Sequence, residues 1–198
     1  MFDIFATVSA LEWVAVVAGL LYVILAARSN IWCWPAAFIG TGASVVLLWN
    51  VSLLMDSALN GFYLVMAVYG FWQWRYAGEQ GSPLKIGSWP VSQHLVACCI
   101  IIVLSLSLGF WLDNSTSAAW PYVDSATTVS AVIATFMVAK KILENWLYWI
   151  AIDVVSVWIY WERELYMYAV LFVLYSVIAV FGFMIWQRQQ AQEQFAIR

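Results

Sequence analysis

Charge is scarce in this 198-residue chain: 10% of its residues are Asp, Glu, Lys or Arg, where a soluble domain carries about 25%. Eight Lys plus Arg stand against eleven Asp plus Glu with no basic patch, which excludes a nucleic-acid partner. His94 is the only histidine. No His/Cys/carboxylate cluster can then hold a metal, and no serine or cysteine has a neighbouring His base, so an enzyme is not expected and neither is a cofactor. The three cysteines, Cys33, Cys98 and Cys99, lie in apolar stretches. Their odd number fits no disulfide framework, and they read as packing residues. The N-terminus holds Asp3 and Glu12 but no basic residue, so it lacks the n-region of a signal peptide and the first apolar stretch is expected to stay in the mature protein.

What the chain has instead is apolar mass: 65% of residues are hydrophobic and the mean hydropathy is +0.86. That composition calls for a lipid bilayer as partner. Seven stretches approach the ~20 residues that cross a ~30 Å hydrocarbon core. They run from Leu11 to Ala27, Trp32 to Trp49, Ser57 to Trp74, His94 to Trp111, Tyr122 to Ala139, Asn145 to Trp161 and Leu165 to Gln187. Helix is the state that satisfies a lipid-exposed backbone, so the expected fold class is an all-α membrane protein with seven transmembrane helices. Seven helices also suit a retinal receptor, but no lysine follows Lys141. Arg28, Arg75, Lys85, Lys140, Lys141, Arg188 and Arg198 fall on one side and Arg163 alone on the other. This asymmetry puts the N-terminus outside and the C-terminus in the cytoplasm.

The third and seventh helices share a pattern. Tyr63, Ala67, Val68, Gly70, Phe71 and Trp74 match Tyr175, Ala179, Val180, Gly182, Phe183 and Trp186 at the same spacing. A weaker pairing sets Asn30 and Trp34 of the second helix against Asn145 and Trp149 of the sixth, which gives Trp34 the symmetric place of Trp149. Matched helices are four apart in order and so run the same way across the membrane. The expected architecture is a 3+1+3 parallel repeat, the internal duplication of SWEET-like transporters. Its parts are residues 1–76 as a first three-helix repeat, 77–118 as a cytoplasmic linker with linker helix four, and 119–198 as a second repeat with a short tail.

The sixth helix holds the candidate chemistry. Trp146, Trp149, Asp153, Ser156 and Tyr160 fall in one helical sector, and Asp153 is the only acid deep in a span. A charge there costs about 2.5–3.5 kcal/mol, so it needs an interior partner or a ligand. No basic residue lies at matching depth. A flat cation held between indole faces and the carboxylate would satisfy it; a structural, hydrogen-bonded Asp is the alternative. Tyr175 and Asn60 are further candidates to complete such a pocket, each with helix packing as its plainer reading. Glu12 and Asp124, at the outer ends of the first and fifth helices, read as solvated end caps, the alternative being a funnel for arriving cations.

The run Glu144-Asn145-Trp146-Leu147-Tyr148-Trp149, with Asp153 and Ser156, resembles the Glu-Asn-Trp-x-x-Trp signature of the nicotinamide riboside transporter (PnuC) family. Asn60, Tyr69-Gly70-Phe71 and Trp74 are similar to its third-helix pattern, and Asp124-Ser125 to the start of its fifth helix. The resemblance implies a SWEET-like protomer of a homotrimer in the bacterial inner membrane. It also implies facilitated diffusion of a vitamin that a cytosolic kinase then phosphorylates and traps. Trp146, Trp149 and Asp153 would surround the substrate. In nicotinamide riboside members the position of Asp153 is often Asn; an ionised Asp only accepts hydrogen bonds, which suits an aminopyrimidine. The expected cargo is therefore thiamine, as in the family's PnuT branch, with nicotinamide riboside as the alternative. A non-transporting receptor or scaffold is the competing class.

Overall fold

The computed structural model describes residues 9–50, 54–78, 82–116 and 120–195. Asp3 and Arg198 lie outside them. Among these residues seven helices follow in order: α1 (Ala10–Ala27), α2 (Cys33–Asn50), α3 (Leu54–Tyr76), α4 (Val91–Ser115), α5 (Pro121–Ala139), α6 (Asn145–Glu162) and α7 (Tyr166–Phe195). All seven expected stretches are helical, and most helices overrun the expected ends. The largest excess is at the end of α7, where polar residues extend the helix beyond its apolar part to Phe195.

Five helices, α1, α2, α4, α5 and α7, are long and apolar enough to cross a membrane. The sequence reading expected seven. Polar residues lower the hydropathy of the other two: α3 carries Asp56, Asn60, Gln73 and Arg75, and α6 carries Asn145 and Asp153 among four tryptophans and two tyrosines. Such aromatic residues favour interfaces over the hydrocarbon centre.

The chain divides into two compact units, residues 1–85 and 86–198. In the first, α1 packs on α2 and α2 on α3. A capping box opens α1: Ser9 Oγ accepts from the Glu12 N–H at 3.2 Å, and the Glu12 carboxylate accepts from the Ser9 N–H at 3.0 Å. That satisfies two otherwise unpaired groups and gives Glu12 its end-cap role. In the second unit α4 packs on α5, α5 on α6 and α6 on α7.

The turns α1–α2 and α5–α6 are built alike, as is α6–α7, where Glu164 has φ of 58° and the Leu165 N–H donates to the Tyr160 carbonyl at 2.9 Å. Ser29 and Lys141, 112 residues apart, have φ of 53° and 56°, a left-handed conformation uncommon outside glycine. Around them the Asn30 N–H donates to the Leu25 carbonyl, and the Ile142 N–H to the Met137 carbonyl, both at 2.9 Å. The Ser29 N–H donates to Ala26, and that of Lys141 to Val138, again both at 2.9 Å. This correspondence shifts the expected pairing by three residues. Trp34 matches Trp146 rather than Trp149, and Asn30 matches Ile142 rather than Asn145. The roles of the two asparagines differ accordingly: Asn30 lies in the turn, accepting from the Trp32 N–H, while Asn145 begins a helix.

The second unit has one further tie. Gly87 pairs with Ile142 in a lone parallel β-bridge, its N–H donating to the Lys141 carbonyl at 3.0 Å and its carbonyl accepting from the Leu143 N–H at 2.8 Å. Carboxylates complete this strap: Glu193 accepts from the Ile86 N–H at 3.1 Å and Glu144 from the Trp89 N–H at 3.2 Å. Gln190 reaches the Ile86 carbonyl and the Ser88 hydroxyl. Residues 86–89 thereby bind the α5–α6 turn to the end of α7.

Candidate functional site

Asp153 is the ninth of the eighteen residues of α6 and is 5% exposed. Trp149 lies one turn before it and is half-buried. Ser156, one turn after, is buried and donates to the Ile152 carbonyl at 2.9 Å, leaving its oxygen lone pairs free to accept. Tyr175 of α7 lies within electrostatic reach of Asp153 and packs edge-on against Phe172 at 5.9 Å. The structure thus brings Tyr175 of α7 within reach of Asp153 of α6, with Trp149 and Ser156 one turn to either side of Asp153 along α6.

Trp146 is held differently. It is 2% exposed, and its ring stands perpendicular to Trp186, centroids 5.5 Å apart at 90°. A Cβ on Gly182 would come within 2.8 Å of Trp146 Cε2, closer than real Cβ atoms approach. Only glycine lets α7 come this near the indole. The same arrangement occurs in the first unit. Trp34, 2% exposed, stands at 88° and 5.5 Å to Trp74 and lies so close to Gly70 that an added Cβ would collide with the ring. The small-residue stripes shared by the third and seventh helices are seats for these two tryptophans. Both indole N–H groups are buried without a hydrogen-bond partner among the described residues.

The other expected residues are dispersed. Asn145 is fully buried; its amide donates to the Ile142 carbonyl at 2.6 Å, while its Oδ1 has no partner among the described residues. Asn60 is half-buried and donates to the Asp56 carbonyl of its own helix at 2.9 Å. It lies about 15 Å along α3 from Gly70, so it does not share the Trp34 seat. Glu144, first residue of the signature run, serves the strap. His94 and Tyr148, which the sequence reading left without a role, hydrogen-bond at 3.0 Å beside Trp89. Among the described residues no three His, Cys, Asp or Glu side chains group as metal ligands.

Comparison with known proteins gives this geometry its setting. A family model described as nicotinamide mononucleotide transporter matches residues 9–188. The nicotinamide riboside transporter PnuC of Escherichia coli is 25% identical over 201 residues, covering 89% of this chain and 84% of its own. PnuC of Neisseria mucosa is 25% identical, covering 88% and 71%. The riboflavin/roseoflavin transporter RibM of Streptomyces davaonensis is 22% identical, covering 88% and 83%. A crystal structure of the vitamin B3 transporter PnuC matches with a TM-score of 0.72 and 22% identity, covering 96% of this chain and 85% of that one. That likeness establishes the fold, an all-helical multi-pass membrane architecture. With the match running through nearly every helix, the chain belongs to the nicotinamide mononucleotide transporter family, the PnuC family of membrane transporters.

Proposed function

We propose that this protein is a uniporter carrying dephosphorylated nicotinamide riboside into the bacterial cytoplasm, with Asp153 and Trp149 at the centre of its substrate site. The observation that carries the reading is a carboxylate 5% exposed at the midpoint of α6 in a chain whose relatives carry flat vitamins. A pyridinium satisfies such a group twice over, through the charge and through the indole face. Tyr175 closes the same side. Trp146 borders the site from its glycine seat, and Asn145 orients the start of α6.

In this reading all seven helices cross the membrane as a SWEET-like 3+1+3 parallel repeat, 1–76 and 119–198 flanking the linker helix. The matching seats of Trp34 on Gly70 and of Trp146 on Gly182 support the repeat. Helices α3 and α6, with 23 and 18 residues, are about 34 Å and 27 Å long, which spans a hydrocarbon core. The N-terminus lies outside, the C-terminus faces the cytoplasm, and the working form is a homotrimer in the inner membrane. A cytosolic kinase consumes the imported vitamin.

Asp153 also favours a second cargo, thiamine, because a carboxylate accepts from an aminopyrimidine. The relatives' names support nicotinamide riboside more strongly. Purified protein in liposomes should accelerate uptake of labelled nicotinamide riboside above protein-free vesicles, with thiamine and riboflavin as competitors. Uptake of thiamine in preference would reverse the order of the two readings. Failure to move any of the three would overturn transport and favour a receptor or scaffold.

A further inference from the structure

A cavity of about 220 Å³ lies between the start of α5 and the end of α6, within the second unit and opposite the strap. Its walls include Trp120, Asp124, Thr127, Ser156, Tyr160 and Arg163. None of these belongs to the central site except Ser156, which forms the floor. The chemistry of the walls is divided. Asp124, in the first turn of α5, brings a carboxylate, and Trp120 beside it is fixed by a perpendicular contact with Trp158 at 4.9 Å. Across the cavity Arg163, the C-cap of α6, brings a donor. Thr127 and Ser156 spend their protons on carbonyls of their own helices, so their oxygens face a ligand as acceptors.

The size of the space limits what it can do. Pockets that engulf a drug-sized ligand measure about 300–1,000 Å³; this one holds a single substituted ring and leaves the rest of a nucleoside in solvent. It is a place to catch a molecule by one end. Its floor at Ser156 is three residues, about 4.5 Å of helix rise, from Asp153 on the same face of α6.

We propose that this cavity is a second, outer subsite that binds the aromatic cation of the arriving cargo, with the ring against Trp120 and its charge on Asp124. Arg163 donates to a neutral oxygen of the ligand, and Thr127 and Ser156 accept from its hydroxyls. The cargo's identity rests on the function proposed above, but the cavity's preference for a pyridinium can be tested without transport.

The probe is 1-methylnicotinamide, a bare pyridinium carboxamide, titrated against the purified full-length protein by ligand-observed NMR at low salt. The parent should bind it. Trp149→Ala, which impairs the central site, should remove that site's share of the binding and leave a measurable remainder, and the next two changes are read in its background. Asp124→Asn should weaken it about threefold to fivefold, the range of an exposed charge contact, and Trp120→Leu about fivefold through the lost ring face. Because Asp124→Asn is isosteric, its loss is not a folding effect; an unchanged circular-dichroism spectrum checks this. Binding abolished by Trp149→Ala and untouched by Asp124→Asn would overturn the outer subsite while leaving the central one standing. No binding to the parent would also overturn it. If the expected pattern holds but liposomes take up no nicotinamide riboside, the cavity survives and the transport reading fails.

Discussion

Replacing Gly182 by Ala tests whether the Trp146 seat is a packing constraint. In an α-helix the change from Gly to Ala gains about 1 kcal/mol of propensity. Here the new methyl would lie 2.8 to 2.9 Å from three ring atoms of Trp146, meeting the body of the indole and not a flexible tip. The ring is also in perpendicular contact with Trp186. Overpacking of this kind costs about 1–3 kcal/mol, so the propensity gain is cancelled or exceeded. Gly61 in α3 is the control, since a Cβ there would meet nothing within 4 Å. Both variants share the propensity term, and the difference between them isolates the contact at about 1–3 kcal/mol. For a chain of this length that separates their melting temperatures by about 5 °C, Gly61→Ala being the higher. Detergent-solubilised protein followed by tryptophan fluorescence reads it directly. A Gly182→Ala protein that melts together with or above Gly61→Ala would refute the reasoning, and Trp146 would then have room to turn.

Trp149→Ala should weaken equilibrium binding of nicotinamide riboside by about 1–3 kcal/mol, the range for a buried aromatic anchor, measured by isothermal titration. Asp153→Asn should weaken nicotinamide riboside and thiamine alike, since both cations lose their counter-charge; thiamine lost with nicotinamide riboside retained or gained would make thiamine the better cargo. Glu144→Gln exchanges a charge-assisted hydrogen bond for a neutral one and should cost about 1 kcal/mol, seen as faster hydrogen exchange of the Trp89 amide. Uptake into liposomes should not respond to an imposed proton gradient, because Asp153 has no second intramembrane charge at matching depth with which to form a relay; a strong response would establish symport.

The helices were legible because lipid imposes a long apolar period that few other environments require, and the stretch from Asn145 to Trp161 matches α6 to within one residue at its end. Hydropathy could not follow α7 to Phe195, since its last turns carry Gln190 and Glu193, which hold the strap. The glycines at 70 and 182 were visible as a shared stripe, but their purpose was not: a Trp 36 residues earlier on another helix gives no sign, and only the packed structure reveals which ring sits on which glycine. The pairing of Asn30 with Asn145 failed for the opposite reason. Identical letters three residues out of step outweighed a backbone match in which Ser29 and Lys141 share φ but no chemistry. Asp153 stood out because a lone acid in apolar surroundings demands an explanation on energetic grounds. The outer cavity was visible only as the alternative role of Asp124, since Trp120, Ser156 and Arg163 join it through folding.

The strap sets the mechanics of the second half. Because backbone and carboxylate bonds tie residues 86–89 to the start of α6 and the tail of α7, this end is the anchored one, and any swing of α6 about it would grow with distance. The greatest travel would then fall about 27 Å away, at Arg163.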